Sequence, residues 1–130
     1  MTDEELLDAA RTVRELAYCP YSDFRVGAAI IDEHGNVHVG CNVENAAYPQ
    51  GSCAEAGAIA AMIAAGAQRI VTIAVAGGGS GKTQACTPCG GCRQRIHEFS
   101  NAETRVIFKD DDNEWHTYSM EDLLPSSFHL

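Results

Sequence analysis

The chain has 130 residues, with nine basic against eighteen acidic side chains and a formal charge of −9. That balance excludes attraction to polyphosphate backbones, which recruit basic patches, and favours a small, nearly neutral ligand over a nucleic acid. At 45% apolar and 21% charged residues, the composition is that of one ordinary globular domain, 1–130, rather than a disordered segment.

In chain order, Thr2 and Glu5 have the capping-box spacing. Leu6, Ala10, Val13 and Ala17 then recur at helical intervals, which predicts a helix over 3–18 that Pro20 stops. The runs "RVGAAIID" and "VHVGCNVE" around "EHGN" predict a hairpin. "AEAGAIAAMIAAG" predicts a small-residue helix, packed closely on a sheet and ended by Gly66. This is the longest apolar stretch, and it is too short and too weakly hydrophobic to span a bilayer. "RIVTIAVAG" reads as a third strand, and "CGGCRQRIHEF" as a helix with Pro88 in its first turn. "TRVIFKD" and "EWHTYSM" pair around "DDDN", and "MEDLLP" closes as a short helix. The order helix, hairpin, helix, strand, helix, hairpin implies a layered α/β domain, with about five strands and helices on both faces.

The acidic start "MTDEELLDAA" is unlike a signal or transit peptide, so a reducing, cytoplasmic setting is expected. The six cysteines then read as metal ligands, catalytic groups or core fillers rather than disulfides. Cys53 opens one predicted helix; Cys89 and Cys92 open another after an intervening strand. Helix N-termini carry positive partial charge and favour thiolates, and three thiolates at two such ends make a zinc site with one open position. Glu55, two residues past Cys53, would stand beside the metal without ligating it, where a carboxylate can move protons between water and substrate. The spacing matches the signature of zinc deaminases. The alternative is a closed structural site in which Cys86 is a fourth ligand and the protein is a non-enzymatic zinc-stabilised module.

"AGGGSGKT", 76–83, imitates a nucleotide phosphate loop. It begins with alanine where the motif requires glycine, and four residues separate it from Pro88, so no helix N-terminus follows to hold phosphates. It reads as a connection beside the active site, with Lys82 a solvated charge. The five histidines, at 34, 38, 97, 116 and 129, are given no role.

"YCPYSDFRVGAAI", "GCNVENAAYP", "SCAE", "PCGGCRQ" and "DLLPSSF", in this order, resemble the small homotetrameric cytidine deaminases over nearly the whole chain. The resemblance implies a three-layer α/β/α fold with a five-stranded mixed sheet, and one zinc per subunit on Cys53, Cys89 and Cys92. It also implies Glu55 as proton shuttle and four active sites shared between subunits. By position, Phe24 would pack on the pyrimidine, Asn42 and Glu44 would bond the ribose 3′-hydroxyl, and Ala54 would address the base through its backbone. Ala46 and Tyr48 would reach a neighbour's ribose, and Phe128 would close a neighbour's site. Read on their own, Asn42 and Glu44 fit a self-capped turn equally well, and Phe24 fits core filling. The implied activity is hydrolysis of cytidine or deoxycytidine to uridine or deoxyuridine, in pyrimidine salvage. The runner-up is a relative acting on another aminopyrimidine nucleoside, such as blasticidin S.

One departure stands out. The family commonly shows arginine after Cys-Ala-Glu, where it offsets the net −1 of three thiolates on zinc; this chain has Ala56. The two helix N-termini, together with a side chain near Cys92 such as Arg93 or Gln94, are the expected substitutes.

Overall fold

The structure, a computed structural model, describes residues 1–78 and 84–130. The elements are α1 (Asp3–Arg14), β1 (Arg25–Asp32), β2 (Val37–Cys41), α2 (Ala54–Ala64), β3 (Ile70–Gly78), α3 (Gly90–Glu98), β4 (Arg105–Lys109), β5 (Trp115–Tyr118) and α4 (Met120–Leu123). The strands form one sheet in the order β2-β1-β3-β4-β5. Only β3 and β4 are parallel, joined by a crossover through α3; the other neighbours are antiparallel. The fold is therefore the expected α/β one, with a five-stranded mixed sheet.

The two faces of the sheet explain the layers. Leu6, Leu7 and Ala10 of α1 are buried against Ala29, Ala74, Ala76 and Ile107. Ala58, Ile59 and Met62 of α2 and Ile96 of α3 pack with Ile30, Ile73, Val75 and Val106 on the opposite face. Alternate strand residues point to opposite sides, so one strand such as β3 feeds both cores. Two glycines seat the helices. A Cβ on Gly27 would lie 1.9 Å from the Ala10 carbonyl oxygen of α1, and one on Gly40 only 2.3 Å from the Ala58 nitrogen of α2. Both helices thus touch the strands backbone to backbone, which only a residue without a side chain allows.

The capping box at Thr2 is present, with Glu5 N donating to Thr2 Oγ1 at 3.1 Å and Thr2 N to Glu5 Oε1 at 3.0 Å. Gly66 follows α2 with φ +92, a conformation favouring glycine. Three boundaries differ from the sequence reading. α1 ends at Arg14 rather than at 18, because Tyr18 leaves the helix to pair with the chain beyond β2: its amide donates to Asn42 O, and it accepts from Glu44 N. β2 stops at Cys41, because Asn42 turns its side chain back onto β1. Pro88 precedes α3 instead of sitting in its first turn, since Cys89 is the N-cap. Gln84 to Cys89 are not helical, so no helix directly follows the glycine-rich loop. Residues 79–83 of that loop, Lys82 among them, lie outside the described residues.

Candidate metal centre and active site

Both α2 and α3 begin at a cysteine. Cys53 is the N-cap of α2 and Cys89 the N-cap of α3, each with extended backbone. An N-cap side chain stands beside the free amides of the first turn, at the positive end of the helix dipole. Cys92, one turn into α3, returns to the same point. The Sγ atoms of Cys53, Cys89 and Cys92 lie within 4.8 Å of one another, the only such cluster among the described residues. Tetrahedral zinc with bonds of about 2.3 Å holds its sulfurs about 3.8 Å apart, so a small contraction closes the set, and its chemistry fits zinc. Burial pushes the Cys92 thiol well above its usual range, and Glu55, Cys53 and Cys89 add to the effect. Burial raises Cys53 as well, whereas the Cys92 amide holds Cys89 below its ordinary value. Loading a metal here must displace protons, which makes its affinity depend on pH.

Cys86 does not join the cluster. It packs over Gly77, where an added Cβ would meet its Cβ at 2.6 Å, and burial pushes its thiol up to about 11. The closed four-cysteine alternative is therefore not assembled, and the three-thiol set leaves one position open.

Glu55, the second residue of α2, is only 3% exposed. Burial raises its carboxyl above the usual value, opposed in part by its own amide and by Arg95. No other side chain hydrogen-bonds it among the described residues. It lines a cavity of about 360 Å³ together with Cys53, Cys89 and Cys86. That volume suits a small organic ligand. The structure brings Phe24, Asn42, Glu44, Tyr48 and Ala54 to the same cavity. Ala46 and Phe128 it does not: both are on the outside, Phe128 at 69% exposure.

The polar pair also has local work. Asn42 Oδ1 accepts from Val26 N at 2.7 Å and its Nδ2 donates to Phe24 O at 2.8 Å. Glu44 Oε1 accepts from the amides of Tyr21 and Ser22, and the Ser22 hydroxyl donates to Oε2. These bonds lower the Glu44 carboxyl below its usual range, the Ser22 hydroxyl foremost. The two residues thus fix the backbone that presents Phe24 to the cavity. The self-capping reading is real here, and it leaves one amide hydrogen and further carboxylate lone pairs for a ligand.

The expected charge partners are elsewhere. Arg93 donates to Pro88 O and Leu123 O, and Gln94 to Phe128 O; neither reaches a thiol. Arg95 does, its Nη1 donating to Cys92 Sγ at 3.8 Å. The missed signal is its spacing: three residues after Cys92 on one helix, it lies on the same face. Arg93 and Gln94 are neighbours of Cys92 in sequence but not on the helix surface.

A buried carboxylate beside an open three-thiol metal centre, in the lining of a ligand-sized cavity, is the equipment of a hydrolytic zinc enzyme. The family model for the cytidine and deoxycytidylate deaminase zinc-binding region matches residues 1–109, and the chain belongs to the cytidine deaminase family. The cytidine deaminase of Sporosarcina psychrophila is 37% identical over 128 residues, covering 98% of this chain and 92% of that protein. That of Halalkalibacterium halodurans is 36% identical over 128 residues, covering 98% and 95%. The 1.6 Å crystal structure of cytidine deaminase from Burkholderia pseudomallei superposes with a TM-score of 0.89 at 40% identity, covering 98% of this chain and 100% of that one.

Proposed function

We propose that this protein hydrolyses cytidine and deoxycytidine to uridine and deoxyuridine with release of ammonia, acting in pyrimidine salvage. The observation that carries this reading is Glu55, buried in the wall of the cavity beside three thiols held at two helix N-termini. Cys53, Cys89 and Cys92 would hold zinc, which when bound lowers the pKa of a coordinated water towards about 7.

Glu55 handles the protons. Burial raises its proton affinity, so at neutral pH it can accept a proton from the attacking water. It gives that proton to the ring nitrogen beside the amino-bearing carbon. It then takes the remaining proton of the added hydroxyl and delivers it to the amino group, which departs as ammonia while the carbon keeps the water's oxygen as its carbonyl. Phe24 supplies an apolar wall for the pyrimidine, and the Ala54 backbone lines the base end of the cavity. Asn42 and Glu44 offer their spare hydrogen-bonding capacity to the ribose 3′-hydroxyl. The Glu44 carboxylate would repel a 5′-phosphate, so a nucleoside fits better than a nucleotide.

The same reading makes the protein a cytoplasmic homotetramer with shared sites. The exposure of Phe128 at 69% and Tyr48 at 78%, with Ala46 also outside, supports it, because large apolar side chains so exposed suit a second subunit. Among the described residues no helix is long and apolar enough to cross a membrane.

Ultraviolet spectra over cytidine, deoxycytidine, cytosine, cytidine monophosphate and blasticidin S test the reading. Conversion of the two nucleosides, abolished in Glu55→Gln with zinc retained, is expected. A zinc-loaded protein that leaves both nucleosides unchanged would refute it.

A further inference from the structure

Three thiolates on a doubly charged zinc leave one net negative charge beside the cavity. Position 56, where the resemblance leads one to expect a compensating arginine, is Ala56. Ala56 instead lines a surface cavity of about 420 Å³ whose far wall, on α3, includes Arg95. The arginine absent from one helix is thus faced by one on the other.

Several observations fix what Arg95 does there. Its only hydrogen bond among the described residues is the 3.8 Å one from Nη1 to Cys92 Sγ. No carboxylate lies within ion-pairing distance of it among the described residues; the Glu55 carboxyl feels its charge from farther off. Its guanidinium folds back along α3, towards the helix start, and lies 3.4 Å from where a Cβ on Gly91 would be. Long side chains on a helix lean towards its N-terminus, so this direction is ordinary. A cation at that end is not: it faces the positive end of the helix dipole, a placement favourable only when anions are gathered there. Arg69, Arg93 and Arg105, by contrast, spend their donors on carbonyls, a hydroxyl or Asp3.

We propose that Arg95 is a positioning residue for the metal centre, which offsets the thiolate charge from α3 in place of an arginine at position 56 on α2. Its bond to Cys92 Sγ brings a positive charge to the three-sulfur cluster and lowers the electrostatic cost of gathering those ligands on one ion. Loss of a hydrogen-bonding partner to a metal ligand typically costs about 10–100-fold in metal affinity.

The inference rests on the zinc-site reading, and the test separates the two. Zinc affinity is measured by competition with a chromogenic chelator for the purified wild type, R95A, R95Q and A56R/R95A, with thermal unfolding of each metal-free form beside it. Stoichiometric zinc in the wild type and an affinity about 10–100-fold lower in R95A and R95Q are expected, with metal-free unfolding unchanged. Recovery in A56R/R95A would show that the charge, not its helix of origin, matters. R95Q keeps the side chain's length and a donor without the charge, so it reads the same quantity should R95A fold poorly. A wild type that binds no zinc overturns the site itself. Zinc held by R95A and R95Q as tightly as by the wild type overturns only the role of Arg95. So does a zinc loss matched by an equal loss of metal-free stability, since Arg95 would then be a packing residue.

Discussion

Gly40→Ala is a small change, at a residue outside the cavity lining, that should disable the enzyme. Gly40 lies on β2, where α2 crosses it. A Cβ there would sit 2.3 Å from Ala58 N, 2.5 Å from Ala54 O and 2.7 Å from Gly57 C. All three are backbone atoms of the helix whose first turn carries Cys53 and Glu55, so no side chain can rotate away. Restoring an ordinary contact of 3.4 Å needs α2 to move outward by about 1 Å. Overpacking of this kind costs about 1–3 kcal/mol, which for a chain of this size lowers Tm by roughly 4–11 °C. Displacing a catalytic group by about 1 Å can cost 10²-fold in rate. Gly57→Ala is the control from the other side of the same crossing. Its Cβ would be 3.6 Å from Gly40 Cα, an ordinary contact, and alanine is the better helix former by roughly 0.5–1 kcal/mol. The assay is kcat/KM for cytidine with a thermal melt of each variant. A Gly40→Ala protein with wild-type activity and Tm would refute the argument that α2 is seated on that glycine. So would equal losses in the two variants.

Four further outcomes follow from the site and the core. Glu55→Gln should keep fold and zinc but lose activity by at least ~10²–10⁴-fold, read by steady-state kinetics and metal analysis. Cys86→Ser should leave zinc content unchanged whereas Cys92→Ser should lose it; equal loss in both would restore the four-cysteine site. Phe128→Ala removes an exposed ring, so activity should fall well beyond any change in Tm; a fully active monomer by sedimentation would contradict its role in trans. Asp32 gives the pH dependence. Burial pushes its carboxyl up, but the His38 ring, whose Nε2 lies 2.6 Å from Oδ2, and the amides of Asn36 and His34 bring it below the ordinary value. The ionised form therefore stabilises the fold above the unfolded pKa of about 3.9, and that stability goes as pH falls through the lower folded value. Asp32→Asn should be less stable at pH 7 and should lose less Tm than the wild type on acidification; parallel profiles would exclude the mechanism.

The chemistry of this protein was legible because it sits at element boundaries, where sequence signals are strongest. Cys53 and Cys89 are N-caps, and Gly66 ends α2 where the glycine stands in the sequence. The capping box at Thr2 and the two hairpins were readable from local chemistry alone. The end of α1 was not. The periodicity of Leu6, Ala10, Val13 and Ala17 continues past Arg14, but an isolated bridge from Tyr18 to Val43 beyond β2 overrides it, and no local pattern records a partner more than twenty residues away. The capping box of α4, with Ser119 accepting from Asp122 N and Asp122 from Ser119 N, has a recognisable spacing that an acidic residue other than glutamate obscures.

The misplacement of the compensating charge has a different cause. Adjacency in sequence favours Arg93 and Gln94, since each is bonded to or one removed from Cys92. On a helix, adjacency turns a side chain by about a third of a turn in the wrong direction, while three residues bring it back to the same face. Arg93 consequently ties α3 to Leu123 at the end of α4, and Gln94 ties it to the chain end at Phe128 O, so both act as structural braces. Arg95 is the first position after Cys92 whose side chain can return to the sulfur. The helix that supplies two thiols thereby also supplies their counter-charge, and α2 is left free to carry alanine at 56, on the cavity wall that faces Arg95.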